Sequence, residues 1–343
     1  MLYVTTRNEH NAYTAHRAIH TSKGTDGGDF VPFRMPELSP EEIAALQQNS
    51  FGQCVADMLN RFFSCGITGW DVDFVAGRHA AKLKTLPHRV TVAELWHNVD
   101  GSYDHLEAVL ARRIIGNADT PNSWVRIVIR LSVLSGLYGM MLRDGYITNN
   151  QVFDVAVPTG DFTMTMAVWY LRRMGFPVAN IICCCNDNSA VWDLLRHGEM
   201  KTNSVVKHTV TPLVDSNVPA QLERLVSATL GTKEAIRYQE VCTAGKVYTP
   251  PAGTLETLRK GMQAAVVSDQ RICSDIPNVY RTGGYLMGPY TALAYGGLQD
   301  YRAKTGTHRT ALLMADRSPL RDKSLVCAAT GFSEKELKSK LEL

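Results

Sequence analysis

Apolar residues recur three or four apart through Phe51, Val55, Met58, Leu59, Phe62 and Phe63, the spacing of one helix face. Upstream, Ser39-Pro40-Glu41-Glu42 reads as a helix start: Ser at the N-cap, Pro at the first helical position, acids in the first turn. From Trp124 to about Leu142 apolar positions cover almost the whole circumference, which predicts a buried helix capped by Asn122-Ser123. The rhythm then changes. Val152 to Val157 is an apolar run of strand length, and Pro158-Thr159-Gly160-Asp161 is a tight turn. Phe162 to Met174 returns to helical spacing and ends at Gly175, and Val178 to Cys185 is a second apolar run. Strand, turn, helix and strand make a βαβ unit, so the pattern predicts a parallel sheet. Helices are expected at Leu255 to Val267, Tyr290 to Arg302 and Ser333 to Leu343, and a strand at Thr310 to Ala315. Gly24 to Gly28 is a turn, because clustered glycines reach positive φ cheaply.

Composition narrows the class. The chain has 343 residues, 45% hydrophobic and 20% charged, with a net charge of +3. At about 150 residues per domain this implies two domains or one large globular one. So small a charge, without a basic run, points away from nucleic acid and membrane as partners. The longest uncharged apolar stretch, Leu131 to Leu142, falls short of the roughly 20 residues of a membrane span. Arg7 and Glu9 interrupt the first ten residues, so no secretory signal is expected. Eight cysteines without a CxxC pair indicate a reducing, cytoplasmic setting. Cys183, Cys184 and Cys185 would alternate faces on a strand and are expected in the core. His16 and His20 share a helix face, with His10 nearby, and read as a solvated surface rather than a metal site. No GxSxG elbow is present.

Six segments, in order, carry a family likeness. They are Asp26-Gly27-Gly28-Asp29-Phe30-Val31-Pro32, Glu94-Leu95-Trp96-His97, Asn122-Ser123-Trp124-Val125-Arg126-Ile127, Val155 to Phe162, Gly284-Tyr285 with Pro289 to Tyr295, and Ala315-Asp316-Arg317-Ser318-Pro319. Together they resemble threonine synthase, a fold-type II enzyme that uses pyridoxal phosphate (PLP). The resemblance implies an α/β fold of the tryptophan synthase β-like PLP superfamily, with a parallel sheet flanked by helices. Residues 1–88 would form a helical N-terminal region and residues 89–343 a reduced α/β domain.

The departures from the family pattern bear on chemistry. The lysine that forms the Schiff base is replaced by Asp104, and a carboxylate cannot form an imine. Lys82 and Lys84 lie upstream of His97 and are not expected to take its place. Arg112 to Asp119 joins two helices between which the family carries its cofactor-side small domain, so that domain is largely deleted. The phosphate loop is degraded at Thr159, Gly160, Asp161, Phe162 and Thr163; Asp161 is expected to cap the following helix. In the pyridine-side loop Asp316 stands in place of a Thr, with Ser318 beyond it; Asp316 is expected in a salt-bridged surface loop with Arg317, Arg321 and Asp322.

The resemblance with its losses implies a paralogue without PLP catalysis that acts by binding or assembly. It would pair with itself or an intact relative, or take a small amino-acid or phosphorylated ligand, with no cofactor and no metal. The alternatives are an active PLP-dependent lyase or synthase of the family, and an acid/base enzyme using Asp100, Asp104 and His105 in the old cleft. His97 keeps its family position and reads equally as a packed, hydrogen-bonded histidine.

Overall fold

The computed structural model describes residues 1–76, 81–98, 100–116 and 121–341. Val99, the end of the Arg112 to Asp119 linker and the last two residues of the C-terminal helix expectation lie outside them. The strands are β1 (Leu2–Thr5), β2 (Asn8–Thr14), β3 (Phe30–Pro32), β4 (Lys82–Leu86), β5 (Val90–Glu94), β6 (Phe153–Pro158), β7 (Val178–Cys185), β8 (Met200–Lys201), β9 (Val247–Tyr248), β10 (Met262–Val266) and β11 (Ala311–Ala315). The main sheet runs β10-β7-β6-β11-β5-β4 and is parallel except for β4, which pairs antiparallel with β5. β8 and β9 form a small separate pair.

The βαβ unit forms where the apolar pattern places it: β6, the helix Thr163–Arg173, then β7. The Ser123–Arg143 helix begins at Asn122, whose Oδ1 accepts from the Val125 N–H at 3.0 Å. This helix is long and apolar enough to cross a membrane, yet 89% of its most apolar window is buried, so here it is the central core helix. Cys183, Cys184 and Cys185 are fully buried in β7, and burial pushes the Cys185 thiol up to about 12. That disfavours the thiolate that redox chemistry needs.

Three expectations are corrected. The N-terminal region is not purely helical: it opens with the antiparallel sheet β2-β1-β3. β2 is largely solvent-exposed, so it carries no apolar alternation to reveal it. The Leu255 to Val267 segment is a short helical turn, Leu255–Leu258, followed by β10. Gly261 stops the helix at φ +70°, and pairing with β7 then recruits the rest as an edge strand. The boundary between residues 88 and 89 falls inside the turn of the β4–β5 hairpin, so β4 belongs to the main sheet.

The N-terminal sheet is bolted to the larger body by charge. Buried Arg224 donates to the Phe30 carbonyl and the Ser123 hydroxyl, and Arg7 pairs with Glu223 at 2.8 Å. Past Ile115 only seven residues precede the Ser123–Arg143 helix. No second parallel sheet occurs among the described residues.

Candidate functional site

Ligand sites of open α/β sheets lie beyond the carboxyl ends of the strands. Here a cavity of about 360 Å³ opens there, lined by Val157 and Pro158 of β6, Met314 of β11 and the loops that follow. Its size suits a small molecule. One wall is the turn after β6. Gly160 and Phe162 both take positive φ, at +47° and +72°. For a bulky buried Phe that is a strained conformation, held by the core around it. The turn aims Asp161 at the helix start, where its Oδ1 accepts from the Thr163 N–H at 2.9 Å. The sequence reading makes Asp161 the cap of this helix; the N-cap is instead Phe162, and Asp161 bonds the first helical N–H from one residue further out, as an Asx-type turn.

Two arginines on the core helix cross the floor. Arg126 lies 2.6 Å from Glu107 and 3.1 Å from Asp161. Arg130 lies 2.7 Å from the other Glu107 oxygen and 3.4 Å from Asp316. The result is an alternating chain, Asp161–Arg126–Glu107–Arg130–Asp316. Burial alone would lower both arginine pKa values, but the charge of Glu107 together with the other acids of the chain more than compensates and holds them above the ordinary value. Burial pushes Asp161 upward, yet the Arg126 charge and the Thr163 N–H bond leave it below the usual carboxylate range. Asp316 goes the other way. Burial dominates, Arg130 only partly offsets it, and the nearby Asp104 raises it further.

The helix Tyr103–Ile115 is stapled to the loop after β11. The Tyr103 N–H donates to the Asp316 carbonyl at 2.7 Å, and the Ser318 N–H donates to the Gly101 carbonyl at 2.9 Å. This places Asp104, in the first helical turn, on the wall of the cavity that Tyr290 and Arg317 also line.

The expected site residues divide accordingly. Asp104, Thr159, Gly160, Asp161 and Asp316 line the cavity; Phe162, Thr163, Ser318, Asp100, His105 and His97 do not. Asp316 is not in a surface salt bridge: its partner is Arg130, while Arg317 sits 3.6 Å from Asp322 and Arg321 donates to the Asp100 carbonyl. The Ser318 hydroxyl caps the short turn at Leu320. Asp100 accepts from the Ser102 N–H and hydroxyl, so Asp100, Asp104 and His105 are not assembled as an acid/base group. His97 stacks on Trp96 and lies 2.7 Å from Glu94, a packed histidine. Lys82 and Lys84 are on β4 at the far edge of the sheet, and among the described residues no lysine lines the cavity. No cluster of metal-binding side chains occurs among the described residues. Sequence reasoning missed Glu107, Arg126 and Arg130. Their signal was present: two arginines four apart on one face of an otherwise apolar helix.

Comparison with known proteins follows this geometry. The profile of the threonine synthase N terminus matches residues 2–73. Threonine synthase-like 1 of Homo sapiens is 25% identical over 186 residues, 53% of this chain and 25% of that protein. Threonine synthase of Pseudomonas aeruginosa is 31% identical over 154 residues, 43% of this chain and 32% of that protein. The match thus spans a quarter to a third of these relatives. The PLP-bound threonine synthase of Brucella melitensis superposes with a TM-score of 0.84 at 18% identity, covering 97% of this chain and 92% of that one. The yeast enzyme superposes with a TM-score of 0.81 at 16% identity, covering 100% and 94%.

Residues 2–73 match the N-terminal domain of threonine synthase, and the chain shares the fold of threonine synthase structures. As in threonine synthase structures, its mostly parallel sheet is flanked by helices. The family resemblance places a lysine where this threonine synthase-like chain presents Asp104 to the cavity.

Proposed function

We propose that this threonine synthase-like chain acts without an imine-bound cofactor, as a binding or assembly paralogue. One observation carries the proposal: among the described residues, the cavity at the strand ends presents Asp104 and no lysine. The residues present do not fit PLP held as an imine. Among the described residues no lysine amine lines the cavity to meet its aldehyde, and Asp161 already bonds the helix N-terminus that would face its phosphate. An assembly role draws support from the helix Gly69–Ala76. It packs on the cleft-side helix Tyr103–Ile115 and presents Trp70 and Phe74 to solvent, 72% and 73% exposed and stacked at 5.1 Å. The eight unpaired cysteines agree with a cytoplasmic setting.

The test is the visible spectrum of the purified protein with added PLP, before and after borohydride and dialysis. The expected result is no aldimine band and no retained cofactor. A reducible band mapping to one lysine would overturn the proposal and name the active site. Light scattering tests the assembly arm, which a monomer removes.

A further inference from the structure

The main sheet ends in two edge strands, β4 and β10, and they differ in protection. β4 carries Lys82 and Lys84, the kind of charge that keeps an edge from pairing further. β10 reads Met-Gln-Ala-Ala-Val, with no charge, no proline and no bulge in its pairing with β7. Its inner side is used. The Ile181 N–H donates to the Gly261 carbonyl at 3.0 Å, and the Val267 N–H donates to the Cys185 carbonyl at 2.9 Å. That phase turns the backbone groups of Gln263 and Ala265 toward β7 and those of Ala264 and Val266 outward. Among the described residues nothing pairs with the N–H or C=O of Ala264 and Val266, and both are partly exposed.

This edge floors a groove. A cavity of about 730 Å³ is lined by Gln263 and Ala264 between two helices that pack on opposite faces of β10, Ala190–His197 and Pro289–Thr305. Trp192 and Tyr301 give each wall an aromatic surface. The rim is basic. Arg196, Lys260 and Lys304 form no ion pair among the described residues; Arg259 donates to the Leu195 carbonyl at 3.2 Å and pairs with Glu256. Four cations thus face one carboxylate. The groove shares no lining residue with the cavity at the carboxyl ends of the strands.

We propose that this groove docks an extended acidic peptide segment of a partner protein, added to the sheet as a strand beside β10. Main-chain bonds to Ala264 and Val266 hold the segment, and its carboxylates meet Arg196, Lys260 and Lys304. A second copy of this chain would bring its own two helices against these walls, which a lone extended segment does not. The inference is independent of what the other cavity does with PLP.

Fluorescence anisotropy on the full chain tests it, with a fluorescein-labelled octapeptide of alternating glutamate and valine as the probe. The probe should bind at least about tenfold more tightly than a lysine–valine peptide of equal length, and salt should weaken it. Arg196→Glu should lower its affinity about tenfold, while Lys84→Glu, a like reversal on the opposite edge, should leave it unchanged. Both side chains are exposed, and unchanged thermal melts show that folding is intact. Two further probes, N-methylated at every glutamate or at every valine, test the strand pairing without altering the protein. A strand turns only alternate N–H groups to its neighbour, so one of these should lose at least about tenfold more affinity than the other. Tripolyphosphate at matched ionic strength should not displace the probe. No probe binding, equal binding of the glutamate and lysine peptides, equal loss from the two N-methylated probes, displacement by tripolyphosphate, or an Arg196→Glu variant of unchanged affinity overturns the inference. So does a dimer in light scattering that Ala264→Pro dissociates, which would give the edge to a second copy. A reducible PLP adduct defeats the proposed function and leaves this inference standing.

Discussion

Asp161 follows β6 and Asp316 follows β11, two strands paired side by side in the sheet. Each acid reaches an arginine of the same helix, Arg126 or Arg130. They nevertheless titrate in opposite directions, Asp161 below the ordinary range and Asp316 above it. Both lose water, so desolvation does not separate them. The difference lies in the donors. Asp161 gains a backbone N–H at a helix start, where the helix dipole also favours a negative charge. Asp316 has one orphaned oxygen and faces the like charge of Asp104. An arginine partner is thus not enough to hold a half-buried carboxylate below its ordinary pKa; the rest of its shell decides the sign.

The largest expected effect comes from removing what the two acids share. Arg130→Met leaves Glu107 half-paired and Asp316 alone, and should cost about 3–5 kcal/mol of unfolding free energy, read from urea denaturation. A loss below about 1 kcal/mol would break the comparison, since that is the worth of an exposed pair.

Smaller effects should split by sign between the two loops. Asp161 has a depressed folded pKa, so its contribution is present above the unfolded carboxylate value and is lost as pH falls through the folded one. Asp161→Ala should therefore cost about 0.5–2 kcal/mol near neutrality, the scale of a side-chain bond at a helix start, and less in acid. Asp316 has a raised folded pKa, so its contribution is present below the unfolded value and is lost as pH rises through the folded one. Asp316→Asn should be neutral or stabilising by under about 1 kcal/mol near neutrality, and the gain should shrink on acidification. Chemical denaturation of both variants across the acid range checks this. Two profiles of the same sign would show that the loops do not differ as described.

Much of the fold was legible locally. The expected strand at Val178 to Cys185 coincides with β7, and the buried helix and β6 lie within a residue of their expected limits. Each is marked by an apolar run and by a cap or turn a few residues away. β10 was not legible, because its five residues become a strand only by lying against β7. The site was half legible. Asp104 and Asp161 were found through the family pattern, and the Asx-type turn at Asp161 is a contact two residues long. Asp316 was misplaced because its neighbours in sequence are Arg and Ser, which read as a polar surface loop.

By itself the sequence determined the βαβ unit, the buried helix and the capped turns. Those depend on residue type and on contacts within a few positions. Tertiary structure decided which charges meet. Arg130 and Asp316 are 186 residues apart, and only the parallel sheet and the Tyr103–Asp316 staple bring them together. Chain-local rules carry no information about such pairs, because their energy depends on burial and on the whole set of charges around them.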